Sequence, residues 1–431
     1  MQERAVLVGL EFRSRRGGRQ GPASSRSLSA TEESLAELTA LAATAGAEVA
    51  GQLIQSRLVP EAATLVGSGK VRELADLAEA LNADLVLFDH DLTPTQQRNL
   101  ERALDRKVID RTQLILDIFA KRARTREGQL QVELAQLDYL LPRLTGHGTE
   151  MSRLGGGIGT RGPGETKLET DRRRISRRMR KIKEDLERVR GHRSVQRKQR
   201  QGVPLATAVI VGYTNAGKST LFNLLTGSDV SADARLFATL DPTIRAVTLP
   251  SHRKVLLSDT VGFIRNLPPS LIQAFRATLE EVTEAALLVH VADAAAHAAP
   301  QQVAEVQKVL AELGCEKTPQ LLVMNKADLF SEASQAEAAG GRISGGQVRT
   351  VSVSARTGEG IDRLMTLIDE MIPVDEVTRE RFRFPAAEGS CLPLLHEHGK
   401  VLAVKYDGET CVVEAEVPET IRKRMAEYLV I

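Results

Sequence analysis

Gly212–Thr220 reads GYTNAGKST, and the run that leads into it, Ala206–Gly212, reads ATAVIVG. An uninterrupted apolar, β-branched run that stops at glycine is a buried strand. A glycine-rich turn followed by a helix completes the first unit of a doubly wound α/β sheet. The spacing G-x-x-x-x-G-K-[ST] lets backbone N–H groups close around phosphate oxygens, and the helix start adds positive potential. Lys218 can then reach β- and γ-phosphates, and Ser219 can place its hydroxyl on Mg²⁺. The whole loop, Gly212, Tyr213, Thr214, Asn215, Ala216, Gly217, Lys218, Ser219 and Thr220, is a candidate nucleotide-binding segment.

Downstream runs repeat the pattern. RKVLLSDT, AALLVHVAD, QLLVMNKAD and VRTVSVSA are four more buried-strand signals separated by helix-length segments. They predict a doubly wound domain over 203–373. Three of the runs end in chemistry. LLSDTVG ends in D-x-x-G, so Asp259, Thr260, Val261 and Gly262 are candidates: Asp259 for the magnesium shell, Gly262 for an N–H to a γ-phosphate. VMNKAD supplies Asn325, Lys326, Ala327 and Asp328. A carboxylate at Asp328 accepts both N1–H and the 2-amino group of guanine, a donor pair that adenine lacks. Asn325 can brace the loop, and the Lys326 stem can cover the base. VSVSA brings Ser354, Ala355 and Arg356, with the Ala355 N–H able to face guanine O6. One such motif is weak evidence; three in this order at strand ends predict guanine-nucleotide binding with GTP or GDP.

RLFATLDPT, Arg235–Thr243, lies between the phosphate loop and Asp259. A threonine there completes a magnesium shell when GTP is bound and leaves it after hydrolysis. Thr239 and Thr243 both qualify on position, and both can equally be ordinary loop residues. Phe237, Ala238, Thr239, Leu240 and Asp241 join the candidate set. Phe263 follows D-T-V-G, where a glutamine would orient the attacking water. Phenylalanine cannot, so hydrolysis is expected to be slow alone or completed by another group. Asn215 stands three residues before Lys218 and either holds a monovalent cation such as K⁺ or is a plain loop amide. The candidate catalytic set is Lys218, Thr239, Gly262 and Asn215, with Ser219 and Thr239 on the metal.

Composition bounds the rest. At 431 residues the chain predicts about three domains at roughly 150 residues each. Net charge is only +2, yet Met151–Arg200 alone carries 17 Lys/Arg against 6 Asp/Glu, leaving the remainder at −9. A basic block on an acidic protein calls for a polyanionic partner, or is a solvated helix face. Cys315, Cys391 and Cys411 form no C-x-x-C pair, which argues against a disulfide framework and a zinc site. The start, MQERAVLVGLEF, carries charge at once and has no signal-peptide core. No stretch approaches the ~18 uninterrupted apolar residues of a membrane span. A monomer is expected, cytoplasmic and partly peripheral at the membrane.

Before the phosphate loop, 1–126 alternates strand and helix and predicts a small, mostly parallel α/β domain, with a polar loop at Ser14–Ser27 and a capping box at Thr31. VGSGK at Val66–Lys70 lacks the full phosphate-loop pattern and reads as a strand–helix turn. Across 127–202 the period changes. Leu130, Leu134, Leu137, Leu141 and Leu144 step in fours and threes, as do Leu168, Ile175, Met179, Ile182, Leu186 and Val189 after a first step of seven. Two such helices predict an antiparallel hairpin whose first arm ends or kinks at Pro142. Its tip, LGGGIGTRGPGETKLETDRRRISRR from Leu154 to Arg178, follows Arg153 and holds Arg161 and Lys167, with Arg172, Arg173, Arg174, Arg177, Arg178 and Arg180 after them on the helix. With the apolar stripe on the partner helix, these side chains are left for phosphates, and the glycines let backbone approach RNA. The tail, 374–431, predicts a small α+β domain with a turn at Asp407-Gly408.

GGGIGTRGPGETKLETDRRRI from Gly155, GYTNAGKST, FATLDPT and DTVGFIRNLP together resemble the HflX family, Obg-related GTPases of the translation-factor class. The resemblance runs along essentially the whole chain. It implies Thr239 as the switch threonine and Phe263 as the usual residue. It also implies GTP hydrolysis stimulated by the large ribosomal subunit, splitting of stalled or stressed ribosomes, and contact of the 153–180 loop and helix with rRNA near the peptidyl transferase centre. DNA is not an expected partner. A GTPase acting in RNA modification or ribosome assembly, and a signalling switch with a protein partner, are the alternatives; an ATP-driven helicase conflicts with Asp328.

Overall fold

The computed structural model describes residues 2–12, 30–144, 163–200, 205–228, 236–237, 239–240, 242–265, 281–296, 298–329, 349–372, 377–386 and 388–430. The predicted loop at Ser14–Ser27 and the hairpin tip with Arg153 and Arg161 lie outside these residues, as do Ala238 and Asp241; of Lys167 only the backbone is described.

Strand β1 (Arg4–Phe12) is buried through its middle, as its apolar run requires. Helix α1 (Ala30–Ala45), β2 (Glu48–Arg57), α2 (Ser68–Ala80), β3 (Leu85–Phe88), α3 (Pro94–Leu104), β4 (Lys107–Asp110) and α4 (Arg111–Arg122) follow. The strands pair in parallel in the order β2-β1-β3-β4, confirming the α/β reading of this part. The capping box at Thr31 is corrected: α1 already starts at Ala30, so Thr31 has helical backbone and cannot cap it. A capping box does open α3, where the Thr93 hydroxyl and the Gln96 amide exchange bonds with each other's N–H. VGSGK is the turn into α2, with Gly67 at its N-cap.

Helix α5 (Arg126–Leu140) gives way to a short 3₁₀ turn at Leu141–Leu144, the break that Pro142 predicts. Helix α6 (Pro163–Arg200) returns antiparallel to it. Leu130, Ile182 and Leu186 form the seam, flanked by Leu134 and Leu137, and Arg178 bonds Glu133 across the arms at 2.6 Å.

The central sheet contains β5 (Thr207–Gly212), β6 (Thr243–Thr248), β7 (Lys254–Asp259), β8 (Leu287–Asp293), β9 (Gln320–Asn325) and β10 (Arg349–Ser352), in the order β10-β9-β8-β5-β7-β6. Helix α7 (Lys218–Thr226) leaves the phosphate loop. Five strands are the expected parallel ones; β6 is a sixth, antiparallel to β7 at the sheet edge, so the sheet is mixed. Only one of its six residues is buried, so it carries no apolar run that sets it apart from the switch residues. The last sheet, β11 (Val377–Pro385), β12 (Lys400–Asp407) and β13 (Thr410–Pro418), is antiparallel in the order β11-β13-β12. Gly408, at φ +60°, makes the predicted turn between β12 and β13.

The α1 and α4 side of the first sheet and one face of the central sheet share a core. It joins Leu38, Leu41 and Phe119 to Val211, Tyr213, Phe237 and Phe263. The C-terminal sheet has a core of its own around Phe382, Phe384 and Leu395.

Candidate functional site

The loop between β5 and α7 sits at the carboxyl edge of the central sheet, where β5 lies between β7 and β8. Gly217 has φ +89°, and a Cβ there would lie 2.3 Å from the Asn325 amide nitrogen. Only glycine lets that amide pass so close. Asn325 Nδ2 donates to Ala216 O at 2.8 Å, and its Oδ1 accepts the Ala355 N–H at 3.0 Å. One buried side chain therefore ties the phosphate loop to the loop after β10. The Ala355 N–H, expected to face guanine O6, bonds the Asn325 carboxamide oxygen in this structure.

Lys218 is buried, and its Nζ donates to Tyr213 O at 2.7 Å. Burial pulls its ammonium down to about 8, against the pull of Asp259. Close to it His290, buried on β8, is held down to about 4 by burial and is neutral at physiological pH. A Cβ on Gly262 would lie 2.9 Å from Lys218 Nζ and 2.8 Å from Thr214 Cγ2, so D-x-x-G packs directly on the phosphate loop. Two backbone bonds secure this: Phe263 N–H to Gly212 O at 3.0 Å and Thr214 N–H to Phe263 O at 2.7 Å.

Ser219, Thr239 and Asp259 converge. Ser219 Oγ and Thr239 Oγ1 are each 2.8 Å from Asp259 Oδ2 and 2.8 Å from one another. Asp259 Oδ1 is buried without a hydrogen-bond partner, as is Thr214 Oγ1. Burial pushes the Asp259 carboxyl up, opposed chiefly by Lys218. Two hydroxyls and a carboxylate with a vacant buried oxygen are the donor set of a hard cation such as Mg²⁺. Thr243 is the first residue of β6, in register with Asp259, and takes no part in this cluster. Thr239 is thereby separated from Thr243, a choice that position alone leaves open.

The base-side residues are equally ordered. Ser354, fully buried, donates its hydroxyl to Asp328 Oδ1 at 2.7 Å and fixes a carboxylate that is itself exposed. Lys326, at φ +67°, holds its ammonium on Asp293 Oδ2 at 2.6 Å, which lays out its stem. Asp293 was missed by the motif reading, although it ends a strand run as Asp259 does. Asn215 is exposed on left-handed backbone at φ +61°. Thr220 and Arg356 are exposed, Ala327 and Val261 buried. Thr260 spends its hydroxyl on Ile210 O at 2.7 Å. Phe237 stacks edge-on against Phe119 at 4.6 Å between centroids, and Leu240 joins the same core, so both side chains serve packing.

On the hairpin, Ile175, Met179, Ile182, Leu186 and Val189 form the covered stripe, while Arg172, Arg173, Arg174, Arg177, Arg178 and Arg180 are exposed. Two of these are engaged, correcting the reading that all are available: Arg178 pairs with Glu133 and Arg173 with Glu169.

Three family models match in succession: a GTP-binding GTPase N-terminal region over residues 32–120, a GTP-binding GTPase middle region over 122–200, and a 50S ribosome-binding GTPase over 207–326. Similar proteins include the GTPase HflX of Caldanaerobacter subterraneus subsp. tengcongensis, 49% identical over 93% of this chain and 91% of that protein. The GTPase HflX of Escherichia coli K12 is 47% identical over 83% of each chain. The GTPase HflX of Akkermansia muciniphila is 40% identical over 100% of this chain and 97% of its own. Among solved structures, a GTP-binding protein of Sulfolobus solfataricus in complex with GDP aligns over 86% of this chain and 98% of its own, at 23% identity and a TM-score of 0.43. No described helix is long and apolar enough to cross a membrane.

Proposed function

The chain belongs to the HflX family of GTPases and is a GTP-hydrolysing enzyme, and on that premise we propose that it binds the large ribosomal subunit and splits stalled or stress-arrested ribosomes. The observation that carries the reading is one chain holding both a GTPase site and a hairpin with exposed arginines on α6. Such a face suits rRNA phosphates, and the glycine tip at its end would reach toward the peptidyl transferase centre.

In this reading Gly212–Thr220 cradles the phosphates and Lys218 meets the β- and γ-phosphate oxygens. Asp328, held by Ser354, selects guanine. Ser219 and Thr239 would hold Mg²⁺ with Asp259 behind them; when bound, the ion neutralises phosphate charge. Asn215 would offer its carboxamide oxygen to a monovalent cation such as K⁺. Thr239 and the Gly262 N–H gather at the γ-phosphate and favour the conformation that binds the subunit. Hydrolysis relaxes both segments and releases the factor, because a switch needs different affinities in its two nucleotide states.

The test is GTP hydrolysis with and without purified large subunits, by the intact chain and by one lacking Gly155–Glu165. Strong stimulation of the intact chain, with subunit binding or splitting impaired by the deletion, is expected. Absence of stimulation alongside normal GTP binding removes the ribosome and favours RNA modification, assembly or signalling.

A further inference from the structure

Helix α1 crosses from its own sheet to the phosphate loop. Glu37 Oε1 accepts the Tyr213 hydroxyl at 2.5 Å, and Tyr213 Oη in turn accepts the Arg265 N–H at 2.7 Å. The other oxygen, Glu37 Oε2, takes Arg111 at 2.6 Å. Arg111 is 2% exposed, and it also donates to Asp89 Oδ1 at 2.8 Å, while Asp89 Oδ2 accepts the Ser34 hydroxyl at 2.5 Å. The polarity of this chain has one solution. Guanidinium and backbone N–H only donate, and an ionised carboxylate only accepts, so the Tyr213 hydroxyl must give its hydrogen to Glu37 and a lone pair to Arg265.

This places Tyr213 at a particular point of the site. The Phe263 N–H to Gly212 and Thr214 N–H to Phe263 bonds zip the segment after D-x-x-G to the phosphate loop. A parallel ladder would continue through the Arg265 N–H. There the phosphate loop has turned away, and the Tyr213 hydroxyl accepts that N–H in its stead. Glu33, one turn before Glu37, lies 3.6 Å from the Arg265 guanidinium.

We propose that Glu37 and Tyr213 are positioning residues for GTP hydrolysis, a pair built between helix α1 and the phosphate loop that holds the Arg265 backbone and, through it, the Gly262 N–H at the γ-phosphate. The inference rests on reading Gly212–Thr220 and Asp259–Gly262 as the nucleotide site. Neither residue is assigned chemistry on the reacting atoms. They limit where the D-x-x-G backbone can go, and Arg111 with Asp89 fixes the carboxylate that fixes the hydroxyl.

The experiment compares the full-length protein with Tyr213→Phe, Glu37→Ala, their double variant, Glu37→Gln and Lys218→Ala. Steady-state GTP hydrolysis, GDP affinity and amide exchange over 263–266 are measured. Each of Tyr213→Phe and Glu37→Ala should lower kcat about tenfold while KM and GDP affinity stay within about twofold, since only placement is lost. The double variant should be no worse than the poorer single one, as members of one unit are non-additive. Glu37→Gln, whose single acceptor oxygen cannot serve both Tyr213 and Arg111 and whose NH₂ meets one of them, should stay slow like Glu37→Ala, and the Arg265 N–H should exchange faster in Tyr213→Phe. An unchanged kcat in folded Tyr213→Phe, additive losses, or matching losses in kcat and affinity overturn the proposal. Lys218→Ala is the separate control: if it still binds and hydrolyses GTP normally, the nucleotide-site reading itself falls.

Discussion

Lys218 sits buried with its ammonium on a carbonyl and its pKa lowered to about 8. Bound phosphates favour the charged amine, so nucleotide binding takes up a proton at pH values above that. Affinity for GDP should therefore fall as pH rises past about 8, by up to tenfold per unit. Stability of the free protein moves the other way. Between about 8 and the ordinary value of 10.5 the unfolded chain binds more protons at this lysine than the native one, so the lysine's contribution rises with pH. GDP titrations on either side of pH 8 check the first statement, with Lys218→Ala expected to lack the slope. A flat profile for the unmodified protein would mean that the phosphates do not meet this amine.

The elements differ in how openly their residues announce them. The phosphate loop, D-x-x-G and N-K-x-D could be read from spacing, because a ligand fixes residue types at set intervals. Strand β6 could not, since it has one buried residue, lacks an apolar run and adjoins the switch residues. Glu37 is 176 positions from Tyr213, and no local pattern reports so distant a partner. Thr239 and Thr243 became distinct only when β6 claimed the second. The hairpin was readable because its apolar period survives in the packing. Ile182, fully buried between Leu130 and Leu186, carries that seam. Ile182→Ala should weaken the pairing of α5 and α6 by about 2–4 kcal/mol. Limited proteolysis should then cut α6 sooner, with GDP affinity unchanged; unchanged protection would show that ion pairs such as Arg178–Glu133 hold the arms.

Across the whole molecule, the first sheet and the GTPase sheet are not separate bodies packed at a polar seam. Leu38, Phe119, Phe237 and Phe263 lie in one continuous core, and Leu236 N–H reaches Thr44 Oγ1 at 3.3 Å. The C-terminal sheet closes on its own interior. Heating should therefore melt the first two together and the C-terminal part apart. GDP should raise the midpoint of the first transition alone, because a ligand stabilises only the unit that folds around it. Calorimetry with and without GDP measures this. Independent melting of the N-terminal part would contradict the shared core.

Strand β6 has a last consequence, one of tether length. Thr239 stands four residues from Thr243, where the chain is stitched to β7 opposite Asp259. Four residues, even drawn straight, span about 14 Å. On its downstream side Thr239 is thus tethered to the sheet edge, and any departure from Asp259 is confined within that radius.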